Sequence, residues 1–191
     1  MDQKIDRRVK MTKRLLKETL TEMLKEQDIY HISIRELCER ADVNRTTFYK
    51  HYGNQFELLD EMENDLLRSI EQTFRQDRTD EISGIETILC FFEENMDFIR
   101  LLLNTHVDAE FPQKLFSLAV ITRSIENVTP SIPQNEREYI HRFLLYGAYE
   151  MIRAWVNKDQ HETPHEKAKI ILKQFALSTD MKKYRRASGS I

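Results

Sequence analysis

Apolar positions recur at spacings of three and four residues through most of the chain, the period of an amphipathic helix rather than of a strand. Val9, Leu16, Leu20 and Met23 form one such stripe in a first helix predicted from about Asp6 to Gln27. Only four glycines and four prolines interrupt the 191 residues, and these residues are the main breakers of regular structure. The pattern therefore predicts an all-α fold of about nine helices.

Two short helices are predicted in quick succession, over Ser33–Arg40 and Arg45–Tyr52. The first opens on a Ser-x-x-Glu capping box, and Asn44 is a favourable N-cap for the second. Between them, Asp42 is expected in the left-handed conformation, which aspartate tolerates better than most residues. Gly53 is expected to terminate the second helix.

The same signals predict six further helices, which start near Asn54, Ser83, Met96, Pro112, Asn135 and Thr163. The helix from Pro112 is expected to continue to about Asn127. The helix from Asn54 is expected to bury Phe56, Leu59, Leu66, Ile70 and Phe74. A polar stretch at residues 76–80 predicts a hinge after it.

Charge is distributed unevenly along the chain. Residues 1–52 carry 12 basic and 9 acidic side chains, whereas the remainder carries 17 basic and 23 acidic ones. This asymmetry suits a protein that presents one end to a polyanion, although a solvated helix face would look the same. The composition, 40% hydrophobic and 32% charged, is that of a globular protein.

Composition also excludes several classes of protein. No apolar run approaches the roughly 20 residues that span a bilayer, and the charged segment Met1–Gln27 predicts no signal peptide. Two cysteines, Cys38 and Cys90, are too few for a disulfide framework or a four-thiolate zinc site. We therefore expect a cytoplasmic protein without membrane association, with Cys38 as a buried reduced thiol.

The two short helices have the layout of a helix-turn-helix, in which apolar residues fix a steep crossing angle. The expected wedge consists of Ile34, Leu37, Cys38, Val43 and Phe48. The second helix then exposes hydrogen-bond donors that suit a major groove and its flanking phosphates. The alternative is a three-helix packing unit with Phe48 and Tyr49 in the core, but packing alone does not explain Thr46 and Lys50 on the outer face.

This segment resembles the TetR/AcrR family of transcriptional regulators over about residues 8–60. The matching positions are Ser33-Ile34-Arg35-Glu36-Leu37, Ala41, Val43, Arg45, Thr47-Phe48-Tyr49, His51-Tyr52, Phe56 and Leu58-Leu59. Carried over by position, the expected DNA-binding residues are Ser33, Arg35, Arg45, Thr46, Thr47, Tyr49, Lys50 and His51. Asp42, Thr46 and Gln55 depart from the family's usual glycine, small residue and lysine, which puts base preference and one phosphate contact in doubt.

The resemblance implies a three-helix DNA-binding head at 1–53, a connecting helix and hinge at 54–80, a helical effector-binding and dimerisation domain at 81–180, and a frayed basic tail at 181–191. Double-stranded DNA and a second copy of the chain are the implied partners. The expected dimer interface consists of Ile140, Phe143, Leu144, Gly147, Met151, Trp155, Ala168, Ile171, Leu172 and Phe175. The alternative is that these stripes pack only within one chain.

The second implied site is a pocket for an unknown small-molecule effector. Its candidate residues are Phe91, Met96, Phe98, Leu102, His106, Phe116, Tyr146 and Tyr149. Each of these could equally be ordinary core, and nothing in the sequence specifies the ligand.

One motif suggests a different chemistry. The run His161-Glu162-Thr163-Pro164-His165 matches the H-E-x-x-H string of zinc proteases. That chemistry needs both histidines on one helix face, whereas Pro164 predicts a helix that starts after His161. We therefore expect no metal, no cofactor and no enzymatic activity.

The sequence thus predicts a homodimeric, ligand-released repressor that binds a palindromic operator. A second possibility stays open, a DNA-anchored module that a second protein switches instead of a small molecule.

Overall fold

The computed structural model describes residues 2–76, 81–104, 107–118, 121 and 134–179, and every regular element there is helical. The helices are α1 (Asp2–Glu26), α2 (Ile34–Arg40), α3 (Arg45–Tyr49), α4 (Gln55–Gln76), α5 (Glu81–Glu94), α6 (Met96–Asn104), α7 (Phe111–Phe116), α8 (Gln134–Val156) and α9 (Pro164–Thr179). The all-α prediction is confirmed. Of the hinge predicted at residues 76–80, Gln76 is the last residue of α4 and 77–80 lie outside the described residues, as do His106, the stretch 122–133 and the tail 181–191.

The chain divides into two compact units, one formed by Met1–Arg68 with Leu101–Phe111 and the other by Ser69–Arg100 with Pro112–Ile191. The boundaries expected from the sequence, after residues 53 and 80, stay a prediction.

The first unit is built around the apolar stripe of α1. Leu16, Leu20 and Met23 are fully buried, as the helical spacing of these apolar residues predicted. A single 3-10 turn, Ile29–His31, then leads into α2. The Ser33 hydroxyl accepts a hydrogen bond from the Glu36 amide at 3.1 Å, which caps α2.

The turn between α2 and α3 has the expected geometry. Asp42 has φ 52°, the left-handed conformation. The Asn44 side chain accepts from the Thr46 amide at 2.8 Å and so caps α3. The amide of Val43 donates to the Cys38 carbonyl at 2.9 Å and closes the turn.

Two expectations at the start of α4 are wrong. Gly53 does not end α3 with a left-handed residue, since it has no positive φ and α3 already ends at Tyr49. Its amide instead donates to the Glu57 carboxylate at 2.7 Å, so close that an added Cβ would lie 2.8 Å from Glu57 Oε1. Phe56 is 37% exposed rather than buried and packs on Tyr30 with ring centroids 5.3 Å apart.

The second unit is organised by the packing of α9 on α5. Leu89, Phe92 and Ala168 are fully buried there. Trp155, near the end of α8, is also fully buried, and its indole N–H donates to the Glu162 carbonyl at 2.7 Å. This hydrogen bond satisfies the one polar atom of the Trp155 side chain.

Two other helix boundaries differ from expectation, and one predicted cap is present. Ser83 lies inside α5, which begins at Glu81. The helix expected from Pro112 to Asn127 is present as α7, which ends at Phe116 in a turn at Ser117. Residues 119–120 and 122–127 of the predicted helix lie outside the described residues. The capping box of α9 is present as predicted, because the Thr163 amide donates to the Glu166 carboxylate at 3.0 Å.

Candidate nucleic-acid interface

The angle between α2 and α3 is fixed by buried apolar residues. Phe48 and Leu37 are fully buried, and the Cys38 thiol is almost so. Burial raises the pKa of Cys38, which keeps it a neutral thiol. The Phe48 ring lies 5.6 Å from the Tyr52 ring, just beyond the end of α3. These contacts leave the opposite face of α3 to solvent.

The predicted donors lie along α3 and just beyond its end, and Thr46 and Lys50 share the face opposite Phe48. Arg45, Thr46 and Lys50 are exposed, and Thr47 and His51 are half-buried. Tyr49 is 58% exposed, which excludes its alternative reading as a core aromatic. Neither Arg45 nor Lys50 forms an ion pair within the described part of the chain.

The remaining two predicted residues lie at the start of α2, Ser33 as its N-cap and Arg35 in its first turn. Ser33 and Arg35 are both exposed. Arg35 also pairs with Glu39 at 2.8 Å, so its charge is partly balanced. All eight predicted residues therefore belong to one short two-helix segment, whose chemistry is that of neutral and cationic donors. Such donors bind phosphate oxygens and the acceptor-rich edges of bases.

A polar cluster that the sequence reasoning missed lies behind α3. Glu61 on α4 accepts from Lys13 at 2.7 Å, from the Tyr52 hydroxyl at 3.2 Å and pairs with Lys17 at 2.8 Å. Lys17 also binds Asp65 at 2.5 Å. The spacing places Lys13 and Lys17 on one face of α1, and Glu61 and Asp65 on one face of α4, but nothing in the sequence shows that these two faces meet.

The cluster holds its groups in defined ionisation states. Burial opposes ionisation of Glu61, but the hydrogen bonds and charges of Lys13 and Lys17 outweigh it and lower its pKa to about 2. Burial and the neighbouring carboxylate of Glu61 raise the pKa of Tyr52, so its hydroxyl stays a proton donor. Lys13 and Lys17, which count among the 12 basic side chains of residues 1–52, are thus engaged in ion pairs within the first unit.

The residues expected at a dimer interface divide into two groups. Leu144, Trp155, Ala168, Ile171 and Phe175 are buried within their own chain. Ile140, Met151 and Leu172 are half-buried, and Gly147 is exposed. Phe143 is 62% exposed.

Three further exposed apolar residues were missed by the sequence reasoning. They are Tyr139 on α8 and Ile170 and Leu177 on α9. They are detectable only once the buried face of each helix is known, because both faces of these helices carry apolar residues.

The predicted effector residues are only partly brought together. Phe116 lies 5.2 Å from Tyr146 and 5.9 Å from Tyr149, ring centroid to ring centroid. Phe91 instead borders a shallow depression of about 400 Å³. Its other lining residues are Thr73, Ser83, Glu86, Thr87, Cys90 and Glu94.

The remaining effector candidates differ in burial. Met96 and Phe98 are half-buried. Leu102 is buried in the first unit, and His106 lies outside the described residues.

The two histidines of the H-E-x-x-H string are separated as expected. His161 precedes α9 and packs on the Trp155 ring at 4.7 Å, whereas His165 on α9 contacts Glu86 at 2.7 Å. The described residues contain no group of three side chains placed to bind a metal. Their helices include none with the length and apolar character needed to cross a membrane.

The structure has a helical head, in which the capped helix α3 exposes hydrogen-bond donors, and a helical body that follows it along the chain. These features define the class of helix-turn-helix regulators. Residues 18–62 match the family profile described as bacterial regulatory proteins of the tetR family, and residues 80–175 match the profile of a transcriptional regulator C-terminal region. The chain belongs to the TetR family of bacterial transcriptional regulators, as the resemblance predicted.

The chain is similar to three further proteins. A TetR transcriptional regulator from Streptococcus agalactiae 2603V is 26% identical, with a TM-score of 0.71 over 92% of this chain and 99% of that one. The HTH-type transcriptional regulator YxbF of Bacillus subtilis (strain 168) is 28% identical over 162 residues, 78% of this chain. The match covers 40% of YxbF's length. The dihydroxyacetone kinase operon activator DhaS, 15% identical with a TM-score of 0.59 over 89% of this chain and 97% of its own, shares the fold.

Proposed function

We propose that this protein is a repressor that binds a roughly palindromic operator as a homodimer, with one α3 helix in each of two successive major grooves. The observation that carries the proposal is the two-sided character of α3. Phe48 is fully buried on one side, while Thr46 and the C-cap residue Lys50 are exposed on the other and Arg45 is exposed at the start of the helix.

Within this proposal the length and charge of each exposed side chain determine whether it contacts bases or phosphates. Arg45 and Lys50 reach phosphates or guanine edges, because they are long cations without an intramolecular ion pair among the described residues. Thr46 and Thr47 at the start of α3 are short enough to approach bases closely. Tyr49, His51, Ser33 and Arg35 contact the sugar-phosphate backbone and set the register.

The dimer would form through the outer faces of α8 and α9. Tyr139 and Phe143 are one helical turn apart on α8 and are 75% and 62% exposed, and Ile170 and Leu177 are exposed on α9. Nothing lies within 4 Å of a Cβ built on Gly147, so a second helix can approach α8 closely there. The buried residues of the predicted dimer interface, such as Trp155, would pack beneath this surface and hold α8 and α9 in place.

Release from DNA is proposed to follow binding of a small molecule at the aromatic cluster of Phe116, Tyr146 and Tyr149. Aromatic side chains that meet edge to face are common in the walls of ligand pockets. A ligand that binds better to a conformer with poorer operator fit would shift the population away from DNA. Such a regulator would act in the cytoplasm.

The test is fluorescence anisotropy with a duplex enriched from random DNA, comparing the wild type with Tyr49→Ala and Lys50→Ala. We expect each variant to lose about tenfold or more in operator affinity while helix content and dimerisation persist. Lys158→Ala, an exposed lysine of the second unit, is the control and should bind as the wild type does. Loss of folding in Tyr49→Ala, or unchanged binding in both variants, would contradict the proposal.

The mode of release needs its own measurement. Release of bound operator by a small molecule from a metabolite library is the expected result. A stable complex with another protein that changes operator affinity without any small molecule would contradict ligand release and favour a partner-switched module.

A further inference from the structure

Tyr52 contacts both α3 and the helices α1 and α4 that lie behind it. It lies three residues beyond the end of α3 and is only 3% exposed. Its ring packs against Phe48 at 5.6 Å between centroids, and the Lys13 ammonium lies 5.3 Å above the ring. Its hydroxyl donates to Glu61 Oε1 at 3.2 Å.

Glu61 connects three segments through a single carboxylate. Its Oε2 accepts from Lys13 at 2.7 Å, and its Oε1 is 2.8 Å from Lys17 and 3.2 Å from the Tyr52 hydroxyl. The Glu61 side chain is 27% exposed. Lys17 pairs with Asp65 one turn further along both helices, so α1 and α4 run in the same direction here.

Two contacts of the α3 region, the packing of Phe48 and the hydrogen bond of Tyr52, differ in kind. Phe48 packs by van der Waals contact, which is nearly non-directional. The hydrogen bond from Tyr52 to Glu61 is directional, because its strength falls steeply as the angle departs from linearity. Since α3 has only five residues, a single directional contact next to its end can decide its orientation.

We propose that Glu61 and Tyr52 form a positioning pair that orients α3 for base reading, so that operator discrimination depends on a hydroxyl that does not touch DNA. The inference rests on the proposed function. Base contacts need side chains held within about 0.5 Å of the productive geometry, whereas long flexible cations still reach phosphates after a small tilt. Loss of the pair therefore weakens specific binding more than non-specific binding.

The test compares Tyr52→Phe with Asp65→Asn. The first variant removes only the hydroxyl and leaves the ring on Phe48. The second removes the negative charge from the Lys17–Asp65 pair between the same two helices without changing Tyr52. The measured quantity is the ratio of the dissociation constants for a non-operator duplex and the selected operator, at one salt concentration.

We expect Tyr52→Phe to lower this ratio about tenfold, the effect of one lost hydrogen bond to a charged group, with non-operator affinity within about twofold of the wild type. Asp65→Asn should keep the wild-type ratio even where its melting temperature falls. An unchanged ratio in Tyr52→Phe, or an equal loss in Asp65→Asn, would overturn the positioning role while leaving the proposed function intact.

Two substitutions of Glu61 keep the test decisive if Tyr52→Phe does not fold. Glu61→Gln retains an oxygen that can accept from Tyr52 and should keep the discrimination ratio. Glu61→Met removes the acceptor and should lose it. Equal ratios in the two variants would overturn the proposal, and absence of any operator preference in the wild type would instead overturn the proposed function itself.

Discussion

The role of Asn44 as the N-cap of α3 can be tested directly, because Asn44→Ala removes one defined hydrogen bond. The Asn44 side chain accepts from the Thr46 amide at 2.8 Å and is itself exposed. Its truncation therefore opens no cavity. What is lost is the acceptor for one of the amides that the first turn of any helix leaves unsatisfied.

The expected magnitude follows from the length of α3. Removing an N-cap side chain costs about 1 kcal/mol in typical helices, and 1 kcal/mol corresponds to about a fivefold change in an equilibrium constant. A five-residue helix is too short to be stable alone, so its order depends on its cap and on Phe48. We expect Asn44→Ala to lower the free energy of unfolding by about 1 kcal/mol and operator affinity by about fivefold.

The assays are thermal unfolding followed by circular dichroism at fixed protein concentration, and operator binding followed by anisotropy. Asn44→Ser is the matched control, since a serine hydroxyl caps almost as well as an asparagine amide. It should restore both quantities. If Asn44→Ala is as stable as the wild type, or if Asn44→Ser binds as poorly as Asn44→Ala, capping is not the role of Asn44.

Three further predictions follow from burial and charge. Phe48→Ala should destabilise the head by about 3–5 kcal/mol and abolish specific binding, whereas Phe48→Leu should lose much less in a urea titration. Because the pKa of Glu61 is lowered from 4.5 to about 2, its stabilisation is present above pH 4.5 and is lost as the pH falls toward 2. The melting-temperature difference between wild type and Glu61→Gln should therefore shrink over that range, and a constant difference would contradict the lowered pKa. Phe143→Glu should give monomers in light scattering with α-helix content unchanged, and a persistent dimer would move the interface elsewhere.

Local chemistry made much of the head predictable. The left-handed Asp42 and the caps at Ser33, Asn44 and Thr163 each depend on a few neighbouring residues, and all are present in the structure. Burial of Phe48 followed from its spacing with apolar neighbours. Rules of this kind need no knowledge of which helices meet.

Features that depend on which helices meet were missed or wrong. Phe56 fits the apolar stripe of α4, but it lies beside the exposed Tyr30 instead of in the core. The cluster at Glu61 requires α1 and α4 to run side by side in one register, which neither helix encodes alone. The exposed Phe143 and the buried Leu144 are adjacent in sequence, and their difference became visible only with the packing of α8.

The most direct test of the central claim is a selection of bound duplexes from random DNA, carried out at physiological salt because phosphate contacts weaken steeply with ionic strength. The account predicts enrichment of an inverted repeat whose half-sites lie about one helical turn apart or a multiple of it. It also predicts that Lys50→Ala loses the enrichment. Failure of folded, dimeric protein to enrich any sequence would contradict the claim that α3 reads DNA.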